Sequence, residues 1–319
     1  MGMFRSFVAA TLMVLALAVQ AGERSTLIEG TVVEFADLSD ARAVLGADDD
    51  WLRATSALQR QVLVGARSDP LPFLAFQAGR AIPWTGPARA RWLAALKSIA
   101  VGLNTLQLPW PERVLLVATD GRESAYQPHT RGNAVMLPGR FEQQQFSDAE
   151  VLAHELWHVV SRHRPELAQR LYALIGYQPV AELEWPAAWD TIRLANPDAP
   201  RNRHAMPLTL DGRATWVMPV TVIAPGGPRD SLLDRMEQRL LEVVPGEGGQ
   251  PTRARLRDGK PVWHDPEETP AFMQRLGGNT DYVLHPEETI ADNVMFLICG
   301  RTVPNITLLE KIRDEILRR

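Results

Sequence analysis

Cysteine is almost missing from this sequence, which has a single one, Cys299, in 319 residues. One cysteine cannot form a disulfide within the chain, so the fold must be stabilised by a hydrophobic core. A hydrophobic content of 45% is enough to build a sizeable core in a chain of this length. Cys299 itself lies in the apolar run VMFLICG, where a buried and unreactive thiol is expected.

The sequence also has no excess of basic residues. The formal net charge is −4, and charges of one sign form no block along the chain. Proteins that bind nucleic acid need a clustered basic face. We therefore expect no nucleic-acid partner.

The one long apolar run, residues 7–19, is too short for a comfortable membrane crossing, which needs about 20 apolar residues. Arg5 precedes the run, and the small-residue end Val19-Gln20-Ala21 follows it. This arrangement predicts a secretory signal peptide, residues 1–21, that is cleaved near Ala21. We expect an exported protein, periplasmic or secreted, with no stable membrane insertion after cleavage.

The remaining residues, 22–319, contain no internal repeat and no low-complexity linker, which favours a single domain of the α+β class. Apolar spacing predicts a helix over residues 88–106, and two apolar runs predict strands over 113–121 and 132–138. Residues 180–265 are rich in proline, glycine and tryptophan, and their Asp-Gly turns predict β-hairpins. We interpret this part as an insertion, followed by helices at the carboxyl end.

The clearest helix carries the sequence AHELWHVVSRH. Ser147 and Glu150 match the S-x-x-E capping box, which predicts a helix from about Asp148 to His163. His154 and His158 are four residues apart and therefore lie on one face, where both imidazoles can bind one metal ion. Glu155, beside them, can act as general base toward a water molecule that the metal activates.

A helical wheel separates this face from the core. With about 100° between residues, the apolar side chains of Leu152, Leu156, Val159 and Val160 lie opposite the two histidines. His163 falls within that apolar stripe, about 180° from His154, and so cannot share the metal ion. We therefore predict a helix that binds metal on one face and packs against the core on the opposite face.

A catalytic zinc ion needs a third protein ligand. The extended pattern H-E-x-x-H-x-x-G-x-x-H is excluded, because Ser161 and Arg164 stand where it requires glycine and histidine. A glutamate from a second helix is the other common solution, and the segment HPEETIADNVMFLI offers Glu288 with Asp292 four residues later. Asp292 would accept a hydrogen bond from a zinc-binding histidine. Glu287 is the rival ligand, and proline followed by acids is also simply what a helix start prefers.

These residues resemble those of the gluzincin (thermolysin-like) metallopeptidases, and in detail they look closest to relatives of the CAAX prenyl endopeptidase. The resemblance implies a zincin-like core with an active-site helix and a small mixed sheet. It implies zinc ligands at His154, His158 and Glu288, a general base at Glu155 and an orienting Asp292. It also implies that residues 132–138 form the edge strand that holds an extended peptide, with Asn133 and Ala134 binding the substrate.

No histidine or tyrosine follows Glu288 to stabilise an oxyanion, as the resemblance would require. Tyr282, His285 and His204 precede it and are candidates for this role, as is Arg301 after the second ligand helix. Tyr282 is our choice. The sequence thus predicts an exported zinc metallopeptidase acting on a peptide or protein substrate. The alternatives are an inactive zincin-like binding or regulatory protein, and a structural protein in which the motif is accidental.

Overall fold

The computed structural model describes residues 24–66, 68–141, 146–224 and 232–318, and it is an α+β fold. The predicted signal peptide lies outside the described residues. The α-helices are α1 (Leu38–Leu45), α2 (Asp50–Ala54), α3 (Ala57–Val64), α4 (Pro70–Ala78), α5 (Gly86–Leu106), α6 (Asp148–His163), α7 (Pro165–Leu174), α8 (Ala187–Asp190), α9 (Pro270–Leu276), α10 (Pro286–Cys299) and α11 (Ile306–Leu317).

Within the described residues, the strands form two larger sheets and one short hairpin. They are β1 (Arg24–Ser25), β2 (Val32–Phe35), β3 (Arg113–Thr119), β4 (His129–Arg131), β5 (Ala134–Pro138), β6 (Gln178–Pro179), β7 (Leu183–Glu184), β8 (His204–Leu210), β9 (Arg213–Ile223), β10 (Met236–Val244), β11 (Thr252–Ala254), β12 (Leu256–Arg257), β13 (Lys260–Pro261) and β14 (Trp263–His264).

The first sheet has the strand order β1-β2-β3-β5-β4. Its central strands β2, β3 and β5 are parallel, while β1 and β4 run antiparallel to their neighbours. Residues on β2, β3 and β5 share one continuous apolar core with α5, α6 and α10. The sheet thus supports the helix that carries the H-E-x-x-H motif.

The prediction that residues 132–138 form an edge strand is wrong, because β5 is an interior strand. Ala134 pairs with Leu115 on β3 and with Arg131 on β4, and it is fully buried. Asn133 precedes β5, and its side-chain amide donates to the backbone oxygen of Arg113 at 2.8 Å. Neither residue lies on a free edge of the sheet. The edge strand is β4 instead, which is too short and too polar to be recognised in the sequence.

Residues 180–265, which we interpret as an insertion, contribute most of the second sheet, of order β6-β8-β9-β10-β11-β7 with β14 against β10. Both predicted hairpins are confirmed. β8 and β9 are joined at Asp211-Gly212, and β12 and β13 at Asp258-Gly259. All four turn residues have positive φ, the conformation for which Asp-Gly is preferred in two-residue hairpin turns.

The two helices that carry the candidate ligands, α6 and α10, pack directly against each other, and α5 packs against both. The close approach of α5 and α10 requires glycine at position 102, where a Cβ atom would lie 2.1 Å from the backbone oxygen of Ile298. Cys299, at the end of α10, is half-buried rather than buried, and burial raises the pKa of its thiol to about 11. Among the described residues, each helix is either too short or too polar to cross a bilayer.

Candidate metal centre

The H-E-x-x-H helix begins and ends where the sequence predicts. Ser147 accepts from the backbone nitrogen of Glu150, and Glu150 Oε2 accepts from the backbone nitrogen of Ser147 at 2.8 Å, so the capping box is formed. The apolar stripe opposite the motif is fully buried in the main core at Leu152, Leu156 and Val160. This packing fixes the rotation of α6 and turns the histidines toward α10.

His154, His158 and Glu288 come together as the sequence predicts, with ligand atoms all within 4.8 Å of one another. Glu288 Oε2 lies 3.2 Å from Nε2 of His154 and 3.5 Å from Nε2 of His158. His158 and Glu288 are buried, and the His154 side chain is 14% exposed. These groups lie close enough to bind one metal ion.

The opposite nitrogen of each imidazole meets a carboxylate. His154 Nδ1 lies 2.8 Å from Asp292 Oδ1, as predicted, and His158 Nδ1 lies 2.7 Å from Glu287 Oε1. A carboxylate at Nδ1 keeps the proton there and leaves the lone pair of Nε2 free for a metal. Glu287, which we weighed as a rival ligand, instead contacts the nitrogen of His158 that faces away from Glu288.

Each orienting carboxylate is itself held by hydroxyl groups that the sequence analysis did not identify. Ser161 and Tyr172 donate to the two oxygens of Glu287, and Thr280 donates to Oδ2 of Asp292. Burial alone would raise the pKa of Glu287, but hydrogen bonds from His158, Ser161 and Tyr172 lower it. These hydrogen bonds hold Glu287 in place and favour its ionised form.

The general-base candidate, Glu155, is buried beside the ligands, with 5% of its surface exposed. Thr130 Oγ1 on β4 donates to its Oε2 at 2.8 Å. Burial raises the pKa of Glu155, and the charges of the two histidines lower it only in part. A carboxylate with a raised pKa is better matched to taking up a proton near neutral pH.

Residues 195–203, which we call the strap, add two polar side chains that were not predicted. Asn196 Nδ2 donates to Oε1 of Glu288, and Asp198 Oδ1 accepts from the backbone nitrogen of Thr130 at 2.6 Å. Burial, together with the charge of Glu155, raises the pKa of Asp198 to about 8. No spacing rule links these residues to the motif, since the strap is irregular chain within the insertion.

The four oxyanion candidates are placed differently. Tyr282 is beside the site, with its ring 6.0 Å from that of His154 and its side chain exposed. His285 caps the start of α10 by accepting from the backbone nitrogen of Glu287. His204 packs its ring against Tyr172, and Arg301 pairs with Glu150 at the first turn of α6. Only Tyr282 both neighbours a ligand histidine and faces solvent.

The buried charges favour a cation. Five carboxylates, at Glu155, Asp198, Glu287, Glu288 and Asp292, surround the two histidines. Arg162 brings a permanent positive charge to the edge of this cluster, with its Nη2 4.0 Å from Asp198 Oδ1. Buried charges must be paired or must coordinate a metal. Moreover, His158 Nε2 is buried without a hydrogen-bond partner, as expected of a ligand atom.

Comparison with known proteins gives one partial match. The family model described as the eCIS core domain matches residues 118–166. This segment runs from the end of β3 through β4, β5 and α6 to the start of α7, so it includes His154, Glu155 and His158 but neither Glu288 nor Asp292. No curated protein and no solved structure matches the chain. The matched segment thus carries the H-E-x-x-H motif but not the third candidate ligand.

Proposed function

We propose that this protein is an exported, zinc-dependent peptidase. The observation that carries the proposal is the convergence of His154 Nε2, His158 Nε2 and a Glu288 oxygen, with Glu155 beside them. Two imidazoles and one carboxylate are a donor set of catalytic zinc sites. When bound, zinc would acidify a water molecule and polarise the scissile carbonyl.

The chain's own residues would supply the proton transfers. Glu155, oriented by Thr130 and desolvated, would take a proton from the attacking water and deliver it to the leaving amine. The phenol of Tyr282, exposed near His154, would donate to the developing oxyanion. The backbone nitrogen of Thr130 on the edge strand β4 would donate to a carbonyl of an extended substrate.

Metal analysis and a cleavage assay test this proposal together. Purified protein should contain equimolar zinc after loading, and the His158→Ala variant should contain little. The zinc form should cleave an unfolded protein or a peptide library, and removal of zinc should stop cleavage. Two imidazoles and one carboxylate also bind ferrous iron in oxygenases, so iron in place of zinc would overturn the assignment. Bound zinc without cleavage would favour the binding or regulatory alternative.

A further inference from the structure

The strap is irregular chain with prolines at positions 197 and 200, and it is fixed at its first residue. The backbone oxygen of Ala195 accepts from Trp51 Nε1 at 3.0 Å and from Gln59 Nε2 at 2.9 Å. The backbone nitrogen of Ala195 donates to Gln59 Oε1 at 2.9 Å. Helices α2 and α3 thus hold one end of the strap through buried contacts.

The other end is held at the surface. Arg201 forms two hydrogen bonds with Asp50, at 2.6 and 3.0 Å, and its backbone oxygen lies 3.2 Å from His285 Nε2. The backbone nitrogen of Asn202 and the guanidinium of Arg203 both donate to Glu182, at 2.8 Å. These side-chain contacts are exposed or partly exposed and individually weak, while the backbone nitrogens of Val180 and Leu183 donate to the backbone oxygens of Arg203 and Asn202 at 2.8 and 3.0 Å.

Between these ends, the strap contacts the groups to which a substrate would need to bind. The backbone nitrogen of Thr130, which points away from β5, donates to Asp198 instead of to a peptide carbonyl. A carboxylate oxygen of Asp198, a ligand nitrogen of His158 and a carboxylate oxygen of Glu155 lie within 4.8 Å of one another. Arg162 Nη2 keeps the strap in place by donating to the backbone oxygens of Pro197 and Asp198, both at 2.8 Å.

The strap also forms part of the wall of two cavities, one of about 220 Å³ and one of about 430 Å³. Ala199, Pro200 and Arg201 line both cavities, as do Asp50 and His285. Glu287, which contacts His158, lines the larger cavity, so displacement of this shared wall would join the two cavities beside the candidate site.

We propose that the strap is an autoinhibitory segment. Asp198 takes the place of a substrate carbonyl at Thr130 and blocks the space between Glu155 and His158, and peptide gains access only when the strap moves out. This inference rests on the proposed peptidase function, but it predicts that loosening the strap changes the rate of metal loss as well as the rate of peptide cleavage.

The test compares full-length, zinc-loaded variants by two measurements, the rate of zinc loss to a chelator and the rate of peptide cleavage. Asp198→Ala removes the inner contact, while Arg201→Glu places like charges at Asp50 and Glu182 without touching the metal centre. Arg313→Glu is the matched control, because Arg313 forms an exposed pair with Asp314 on α11, away from the strap. Arg201→Glu and Asp198→Ala should each raise both rates about tenfold, and Arg313→Glu should leave both unchanged.

Unchanged rates of zinc loss and cleavage in folded Arg201→Glu protein would overturn the autoinhibition, whatever the fate of Asp198→Ala. Faster zinc loss with slower cleavage in both variants would also overturn it, because the strap would then assist catalysis. Absence of zinc from the wild-type protein would refute the peptidase proposal, and the strap proposal with it. Zinc-bound wild type that cleaves as fast as Arg201→Glu would refute the strap proposal alone.

Discussion

Glu287 Oε1 lies 2.7 Å from Nδ1 of His158, so the acid that precedes the third candidate ligand contacts one of the other two candidates. The adjacent acid, Glu288, meets the Nε2 atoms of both histidines. Glu287 and Glu288 therefore contact the two different ring nitrogens of His158. This is possible because consecutive side chains point about 100° apart around the helix.

This relationship predicts different metal affinities for the two glutamate variants. Glu288→Ala removes a ligand and should abolish tight zinc binding. Glu287→Gln keeps the size of the side chain but weakens the orientation of His158, and it should reduce zinc affinity about 10–100-fold. Competition with a chromogenic chelator measures both, and a larger loss in Glu287→Gln than in Glu288→Ala would reverse the assignment.

Tyr282→Phe should lower the rate of catalysis more than substrate binding, because the phenol would act on charge that develops only in the transition state. We expect kcat to fall about 10²-fold with little change in KM or zinc content. His204→Phe is the control, since that ring packs against Tyr172 rather than facing the exposed side of His154. An unchanged kcat in Tyr282→Phe would exclude it as the oxyanion donor.

Gly102→Ala should destabilise the fold, because its Cβ atom would collide with the backbone of α10 at Ile298. Overpacking of this kind costs about 1–3 kcal/mol of unfolding free energy. Gly86→Ala, in the first turn of the same helix, meets nothing within 4 Å and serves as the control. Urea denaturation measures both variants, and equal midpoints would show that α5 and α10 are not in this close contact.

The buried imidazole of His129 should make the folded protein less stable in acid. It is buried, and burial lowers its pKa to about 3, against about 6.5 in the unfolded chain. Between these values the unfolded state binds a proton that the folded state does not, so stability is fully present above pH 6.5 and falls as the pH drops through this window. The slope is up to about 1.4 kcal/mol per pH unit.

The unfolding free energy of His129→Gln should therefore decline less steeply than that of wild type between pH 6.5 and 4.5. The comparison of slopes is needed because other histidines with lowered pKa values, such as His204, contribute to both curves. Parallel curves would show that His129 is already accessible to protons in the folded state.

Much of the fold could be predicted because local rules determined it. The capping box at Ser147 fixed the start of α6, and the Asp-Gly pairs at positions 211 and 258 fixed two hairpins. Helices α1 to α4 were not predicted, because each spans only five to nine residues. The edge strand β4 was missed because its three residues, His129–Arg131, are all polar yet buried.

The predicted ligands and the orienting Asp292 could be found because helix periodicity places them on facing surfaces. Asn196 and Asp198 could not, since they lie on irregular chain whose path depends on contacts with Trp51 and Gln59 far away in the sequence. The role of Glu287 depended on the rotation of α10, which only the packing of Ile290 and Val294 in the core decides.

The most direct test of the account is the cleavage of an unfolded protein by zinc-loaded Arg201→Glu, with and without Glu155→Gln. Both proteins should bind equimolar zinc, since Glu155 is not a ligand, and the added Glu155→Gln change should slow cleavage at least about 10²-fold. Equal cleavage rates, or no cleavage by either zinc-bound protein, would contradict a zinc peptidase in which Glu155 is the general base.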